Sequence, residues 1–183
     1  MSKRAIVVIA EGFEEIEAIT LIDILRRAEI DVVVAGLDNV KICGAHGVNI
    51  TTDKKLDDAG NDFDACIFPG GMPGATNLAD SEKVKALIKK INSDGKVIAA
   101  ICASPAIVLA PTGILKNKYA TCYPGMHENF GKDVKFKEDA VVVDANIITS
   151  RGPGTALSFS LAIVEKLLGT EVKDKIKKAT LAG

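Results

Sequence analysis

Residues 96–105 read Lys-Val-Ile-Ala-Ala-Ile-Cys-Ala-Ser-Pro, an apolar run that ends at a cysteine, an alanine, a serine and a proline. The first six of these residues are typical of a strand that is buried on both faces of a parallel sheet. A helix is expected to begin near Pro105, because proline is favoured in the first turn of a helix. The stretch therefore predicts a buried strand that turns sharply into a helix, with Cys102 at the turn.

The same alternation of strands and helices extends along the chain in both directions. Short apolar runs predict strands, and apolar residues at helical spacing predict helices. The predicted strands are residues 4–10, 31–35, 65–68 and 96–101, with hairpins at 41–52 and at 140–143 with 147–149, and the predicted helices are residues 14–29, 81–94, 157–168 and 171–178. This pattern predicts one α/β domain over residues 1–183, with a doubly wound, mostly parallel sheet and helices on both faces.

The composition excludes several classes of function. The 183 residues carry 23 basic and 24 acidic side chains, a formal net charge of −1, so sequence-specific nucleic-acid binding is not expected. The longest uncharged run, residues 97–115, is interrupted by Pro105, Pro111 and Gly113, which argues against a membrane-spanning helix. The first residues lack the pattern of a secretory signal. We therefore expect a cytoplasmic protein that does not insert into a membrane.

The four cysteines indicate reduced thiols rather than a structural framework. Cys43, Cys66, Cys102 and Cys122 show no CxxC spacing, so disulfides and a zinc site are not expected, and no metal is predicted. Cys66 and Cys122 each lie in a segment that is interpreted as a strand, which favours core positions for both. Cys43 lies in a turn-rich region, and its role stays open.

Ligands of doubly wound folds bind beyond the carboxyl ends of the strands. Three stretches are expected there, residues 11–17, 69–74 and 102–105. The first stretch is acidic and has no glycine-rich phosphate loop, which argues against a nucleotide site. A thiol at a helix N-terminus has a lowered pKa and is a nucleophile, so Cys102 is the candidate catalytic residue. The alternative is that Cys102 is a core residue like most buried cysteines.

Glu17 is the candidate partner of Cys102. It is predicted about one turn into the first helix, where a protonated carboxyl could donate a hydrogen bond to a thiolate. The alternative is that Glu14, Glu15 and Glu17 form a solvated first turn that the helix dipole stabilises.

Two glycines and two histidines complete the candidate residues. Gly70 and Gly71 permit close approach of the backbone and are predicted to offer N–H donors to an oxyanion. A Cys–His hydrolase would have to use His46 or His127, since the chain has no other histidine. Each of them is more often a surface or structural residue than a general base.

Several of these segments together resemble the ThiJ/PfpI superfamily, and within it the DJ-1 branch. They are residues 3–10 with 12–17, residues 23–28, Phe-Pro-Gly-Gly (68–71), Ala-Ala-Ile-Cys-Ala-Ser-Pro (99–105), Thr-Ser-Arg-Gly-Pro-Gly-Thr (149–155) and residues 161–165. The resemblance covers nearly the whole chain. It implies a flavodoxin-like fold, a homodimer and an oxidation-sensitive Cys102. It also implies that Glu17 is the protonated partner of that cysteine, with the N–H groups of Gly70 and Gly71 in the site.

The resemblance further implies an activity that needs no cofactor. Members are associated with glyoxalase-type conversion of methylglyoxal to lactate and with removal of early glycation adducts from amines and thiols. Small α-oxoaldehydes are therefore the expected substrates. The alternative is a redox sensor or redox-regulated chaperone in which Cys102 is oxidised. The peptidase branch has a histidine directly after the cysteine, where this chain has Ala103, so peptidase activity is not expected.

Two positions depart from the pattern of the branch. Tyr123 precedes Pro124 where many members have a histidine, and His46 stands where many have an arginine. A tyrosine can donate a hydrogen bond but is a poor base at neutral pH. Tyr123 and His46, together with Arg27 from the matching segment 23–28, are therefore secondary candidates for lining the pocket.

Overall fold

The computed structural model describes residues 2–183, and a seven-stranded sheet runs through its centre. The strands and helices in chain order are β1 (Arg4–Ile9), α1 (Glu15–Arg27), β2 (Asp31–Gly36), β3 (Lys41–Cys43), β4 (Asn49–Thr51), β5 (Lys54–Lys55), β6 (Ala65–Phe68), α2 (Gly74–Asp80), α3 (Glu82–Ser93), β7 (Val97–Ile101), β8 (Tyr119–Ala120), β9 (Lys135–Phe136), β10 (Val141–Asp144), β11 (Ile147–Ser150), α4 (Ala156–Leu168) and α5 (Thr170–Ala179).

The order of strands in the sheet is β10-β11-β7-β6-β1-β2-β5. All neighbours in it are parallel except the edge strand β10, which pairs with β11 as an antiparallel hairpin. β3 and β4 form a separate antiparallel hairpin. The predicted doubly wound, mostly parallel sheet and both predicted hairpins are therefore confirmed.

The central strands are apolar throughout because helices cover both faces of the sheet. On β1, Val7 and Ile9 pack with α1 and α4 on one face, whereas Ile6 and Val8 pack with α2 and α3 on the other. All four side chains are fully buried. A strand with one wet face would alternate apolar and polar residues, and this one does not.

The helix expected from Pro105 is not a regular α-helix. Residues 105–109 form a single π-helical turn, and Ala110–Thr112 follow as a 3₁₀ turn that ends at Gly113 with a positive φ of 80°. Pro111 has no N–H to donate, so an α-helical hydrogen-bond ladder cannot continue through this segment. Pro111 and Gly113, which argue against a membrane-spanning helix, thus also keep this helix short.

Several short elements were not predicted. Helix α2 follows the Pro-Gly-Gly turn directly, and the edge strand β5 and the pair β8–β9 contain only two residues per strand. Such elements are too short to show a period in the sequence. The interpretation of Cys122 as a strand residue was wrong, since β8 ends at Ala120.

Three neighbouring strands place the loops of interest side by side. β7, β6 and β1 are adjacent and parallel, so the residues that follow Ile101, Phe68 and Ile9 meet at one edge of the sheet. This is the edge at which doubly wound folds bind ligands. Within residues 2–183, no helix combines the length and the apolar composition that crossing a membrane requires.

Candidate active site

Cys102 lies at a sharp turn directly after β7. Its φ is +64°, in the left-handed region that non-glycine residues rarely adopt. Both of its backbone polar groups are bonded, because its N–H donates to Ser150 O at 3.0 Å and its carbonyl accepts from Tyr123 N at 2.8 Å. These two bonds hold a conformation that costs of order 1 kcal/mol or more. The side chain is half-buried and projects toward the loop after β6.

Glu17 reaches the same point from the first turns of α1. Its side chain is 1% exposed, and Oε2 accepts the N–H of Gly70 at 2.7 Å. The other carboxyl oxygen, Oε1, is buried and accepts no hydrogen bond from a nitrogen or oxygen donor of residues 2–183. A buried carboxyl oxygen without a donor is well placed to carry the proton itself.

The loop after β6 lies against both groups. A Cβ added to Gly70 would lie 2.6 Å from Cys102 Cβ, 2.9 Å from Glu17 Oε2 and 3.1 Å from Cys102 Sγ. No side chain other than hydrogen fits at Gly70, and the carboxyl and the thiol are therefore neighbours across it. The predicted pairing of Cys102 with Glu17 is present in the structure.

The pKa values of the pair depend on each other. Burial raises the pKa of Glu17 to about 7, although the bond from Gly70 and the thiol of Cys102 lower it, and the charge of Glu14 raises it further. Burial raises the pKa of the Cys102 thiol to about 12, and the ionised form of Glu17 adds to the rise. The N–H groups of Ala103 and Gly71 oppose that rise.

With Glu17 ionised, the pKa of the Cys102 thiol is raised. The expectation that the helix N-terminus lowers this pKa was therefore wrong for that state of the pair. Desolvation and the neighbouring carboxylate outweigh the N–H donors. When Glu17 holds a proton instead, the repulsion is gone and the carboxyl can donate to the sulfur. The protonation state of Glu17 thus contributes to the pKa of the Cys102 thiol.

The structure separates the two glycines that were predicted as N–H donors. The N–H of Gly70 is already used by Glu17, so it is not free to bind an oxyanion. The N–H groups that face the sulfur are those of Gly71 and Ala103. Ala103 was not predicted as a donor, because a backbone N–H is common to all residue types except proline and gives no signal in the sequence.

Two further acidic residues, Glu14 and Glu15, precede Glu17 at the start of α1. Glu14 and Glu15 are buried, so the alternative of a solvated first turn was wrong. Although burial raises it, the hydrogen bonds from the His46 side chain and from the N–H groups of His46 and Val48 bring the pKa of Glu15 down to about 2. Hydrogen bonding to Glu15 and the negative charges raise the pKa of His46 in turn.

His46 is consequently held in an ion pair. Its Nδ1 lies 2.9 Å from Glu15 Oε2 and 3.5 Å from Glu14 Oε2, while most of the ring faces solvent. These three residues have ligand atoms within 4.8 Å of one another, a spacing that a cation could also use. The short bond between ring and carboxylate accounts for the arrangement without one.

The other secondary candidates lie at different distances from the thiol. Tyr123 is tied to Cys102 by its backbone N–H, and its half-exposed ring lies over Gly152. Arg27 is not brought to the site within this chain. It lies ten residues beyond Glu17 on α1, about 15 Å along the helix, and pairs with Asp23 at 2.7 Å.

His127 and the three other cysteines lie outside the Cys102–Glu17 pair. His127 stacks on Phe136 with ring centres 4.5 Å apart. Cys66 and Cys122 are fully buried, and burial raises the pKa of both thiols. Cys43 is half-buried, and its Sγ lies 3.6 Å from Gly44 O.

Known proteins resemble this chain over almost its full length. The sequence model of the DJ-1/PfpI family matches residues 3–166. Protein DJ-1 homolog B of Arabidopsis thaliana is 47% identical over 180 residues, which are 97% of this chain and 41% of that protein. Protein dj-1beta of Drosophila melanogaster is 42% identical over 184 residues, 99% of this chain and 98% of that protein. The chain thus spans less than half of the plant relative and nearly all of the insect one.

One relative has a name that states an activity. The Caenorhabditis elegans protein called glutathione-independent glyoxalase DJR-1.2 is 38% identical over 169 residues, 92% of this chain and 90% of that protein.

Solved structures agree with the fold. Drosophila melanogaster DJ-1beta superposes with a TM-score of 0.96 at 41% identity and 100% coverage of both chains. Oxidized Toxoplasma gondii DJ-1 superposes with a TM-score of 0.95 at 40% identity and 98% coverage of each. The flavodoxin-like fold expected from the sequence is therefore confirmed.

The raised pKa of Glu17 predicts a pH-dependent stability. Between the unfolded pKa of 4.5 and the folded value of about 7, the native state binds more protons, so the free energy of unfolding falls as pH rises. Urea denaturation of wild type and Glu17→Gln at pH 5 and pH 8 should show the variant gaining about 2–3 kcal/mol over wild type between the two pH values. Glu171→Gln, which removes an exposed carboxylate, is the control. Parallel profiles for wild type and Glu17→Gln would contradict the assignment.

Proposed function

The chain belongs to the DJ-1/PfpI family, and on that basis we propose that it is a cysteine-dependent enzyme that acts on methylglyoxal and related α-oxoaldehydes without a cofactor. The observation that carries the proposal is the buried carboxyl of Glu17 beside the half-exposed thiol of Cys102. The relative named as a glutathione-independent glyoxalase supports the substrate class. Early adducts of these aldehydes with amines and thiols are proposed as further substrates.

The first step transfers the thiol proton and forms a carbon–sulfur bond. The proton of Cys102 passes to the ionised carboxyl of Glu17, and the thiolate adds to the aldehyde carbon of methylglyoxal. Glu17 then gives that proton to the carbonyl oxygen, so the product is a neutral hemithioacetal and Glu17 is ionised again. Because the pKa of Glu17 is about 7, both of its protonation states are populated near neutral pH.

The second step moves a proton between adjacent carbons. Glu17 removes the proton from the carbon bonded to sulfur and returns one to the neighbouring carbonyl carbon through an enediol. The aldehyde carbon is oxidised and the ketone carbon is reduced, so no external redox partner is needed. Water then hydrolyses the resulting thioester, which releases lactate and restores the thiol. For an adduct, the bond from the aldehyde carbon to the amine nitrogen or thiol sulfur breaks as the bond to Cys102 forms, and the leaving amine or thiol takes the proton that Glu17 received from Cys102; the later steps are the same.

The same surroundings argue against a peptidase. Amide cleavage by a thiol needs a base and an acid that protonates the leaving amine, and histidine normally supplies both. Ala103 follows the cysteine, His46 is paired with Glu15, and His127 is stacked on Phe136. An aldehyde is a stronger electrophile and has no amine to expel in the first step.

A redox sensor or redox-regulated chaperone is the second candidate. It is favoured by the exposure of the thiols, because Cys102 is half-exposed whereas Cys66 and Cys122 are fully buried. Toxoplasma gondii DJ-1, which is similar in fold, is known in an oxidized form. In this proposal, peroxide oxidises Cys102 to a sulfinic acid, and Glu17 donates a hydrogen bond to one of its oxygens.

A homodimer is proposed from the apolar surface around the first turns of α1. Four exposed apolar side chains lie there, Ile16 (58% exposed), Ile19 (46%), Val48 (51%) and Met72 (49%). Val48 is close because its N–H lies 3.3 Å from Glu15 Oε1, and Met72 follows Gly71, which contacts the backbone of Glu14. Contiguous exposed apolar surface of this kind is typical of a protein interface. The site would then lie beside that interface.

Turnover is expected to depend on both members of the pair. Cys102→Ser should abolish consumption of methylglyoxal and formation of lactate, and Glu17→Ala or Glu17→Gln should lower the rate by about 100-fold or more. Cys43→Ser is the matched control, because it removes a half-buried thiol outside the site and should retain the wild-type rate. Peptide cleavage that Cys102→Ser abolishes would overturn the proposal, and so would equal turnover in all variants.

Mild peroxide is expected to modify Cys102 before Cys66 and Cys122. Peptide mass spectrometry should find the sulfinic form at Cys102 first, since peroxide can reach its half-buried thiol whereas the thiols of Cys66 and Cys122 are fully buried. Oxidation at Cys102 in a protein without methylglyoxal turnover would favour the redox sensor. An intact Cys102 beside oxidised Cys66 or Cys122 would contradict both candidate functions.

The chain should elute as a dimer in size-exclusion chromatography with light scattering, with a mass about twice 19.3 kDa. Ile16→Glu and Ile19→Glu should shift the mass to that of one chain, because each buries a charge in the proposed interface. Val143→Glu, on the exposed side of the edge strand β10, is the control and should stay dimeric. A monomeric wild type would show that this surface serves another purpose.

A further inference from the structure

Ser104 makes an unusual hydrogen bond for a serine at the start of a helix. It lies two residues after Cys102 and one before Pro105, where a serine side chain commonly caps the helix. Its hydroxyl makes no such cap. The side chain is fully buried, and Oγ donates to the carbonyl of Pro69 at 2.5 Å. The hydroxyl thus ties the turn after β7 to the loop after β6.

The carbonyl that Ser104 binds belongs to the same peptide unit as the N–H that binds Glu17. The C=O of Pro69 and the N–H of Gly70 are the two ends of one planar group. Ser104 bonds to the first end, and Glu17 Oε2 accepts from the second at 2.7 Å. Hydrogen bonds in such a chain polarise one another, so a donor on the carbonyl strengthens the N–H as a donor.

The loop needs an external support because it must contain glycine. A side chain at Gly70 would collide with Cys102, and one at Gly71 would lie 2.3 Å from Glu14 N. Gly71 also has a φ of +91°. The Pro69–Gly70 peptide turns about ψ of Pro69 and φ of Gly70, and without a Cβ the φ of a glycine is little restricted. If the peptide between Pro69 and Gly70 turned over, its carbonyl oxygen would face the carboxyl of Glu17 instead of its N–H.

We propose that Ser104 is a positioning residue, which holds the Pro69–Gly70 peptide with its N–H toward Glu17 and so controls how readily Glu17 gives up its proton. Its hydroxyl bonds to the carbonyl of Pro69 and not to Cys102 or Glu17. The part of this inference that concerns catalysis rests on the proposed function, since it matters there only if Glu17 moves protons. The link between Ser104 and the titration of Glu17 does not depend on any turnover.

The test is a direct titration of Glu17 in the full chain. Protein labelled with ¹³C at the glutamate side-chain carboxyl is followed by NMR from pH 4 to 9, and Glu17→Gln identifies the resonance. The N–H of Gly70 stabilises the ionised carboxyl, so weakening it should favour the protonated form. Ser104→Ala is expected to raise the midpoint by about half a pH unit, a roughly threefold change in proton affinity.

A matched control separates this effect from the loss of a buried hydroxyl as such. Ser160 is also fully buried and donates to a backbone carbonyl, that of Ala156 at 2.7 Å in α4. Ser160→Ala should lower the melting temperature as Ser104→Ala does but leave the Glu17 midpoint at its wild-type value. Ser104→Thr keeps the hydroxyl and should return the midpoint to that value. If Ser104→Ala does not fold, Ser104→Gly carries the same expectation.

The outcomes distinguish this inference from the proposed enzyme. A shifted midpoint in a protein that does not consume methylglyoxal would sustain the role of Ser104 and remove the enzymatic proposal. An unshifted midpoint in Ser104→Ala or Ser104→Gly would overturn the role of Ser104, whether or not the protein turns over substrate. A shift in Ser160→Ala equal to that in Ser104→Ala would overturn it as well.

Discussion

The site depends on a carboxyl group that is removed from water beside a thiol. Burying Glu17 costs several kcal/mol if it stays ionised, and the structure offers its carboxylate one N–H donor, from Gly70. The group therefore takes up a proton at a pH where an exposed glutamate would not. Glycine in the neighbouring loop, the sharp turn at Cys102 and the burial of the first turns of α1 all serve to bring these groups together. Three adjacent parallel strands make that convergence possible.

Two carboxyl groups that lie two residues apart have pKa values shifted in opposite directions. Glu15 is surrounded by donors from His46 and Val48 and has a pKa of about 2, whereas Glu17 has one backbone donor and a pKa of about 7. The difference has two causes, because Glu17 is the more deeply buried carboxyl and because more hydrogen bonds reach the charged form of Glu15. One residue is thereby a fixed negative charge that holds a loop, and the other is able to exchange a proton.

The sequence predicts the main architecture and the central pair because both follow from side-chain type and position in the strand order. Apolar runs identify β1, β6 and β7, and the order of strands then places Cys102, Glu17 and Gly70 at one edge. The partner of the Gly70 N–H and the direction of the thiol pKa shift depend on distances of a few tenths of an ångström, which no residue pattern records. The resemblance to the family suggested that Arg27 lines the pocket. Within one chain, however, Arg27 lies too far along α1 from Glu17 to reach it.

The turn at Cys102 is held by the backbone of residue 123, not by its side chain. The N–H that binds the Cys102 carbonyl is present in every amino acid except proline, so this hydrogen bond does not depend on the side chain of residue 123. The tyrosine ring, half-exposed over Gly152, is free to be exchanged for another group without disturbing the cysteine. The residue type at position 123 can therefore change while the cysteine turn is kept. Such a turn combines a fixed backbone with a variable side chain next to it.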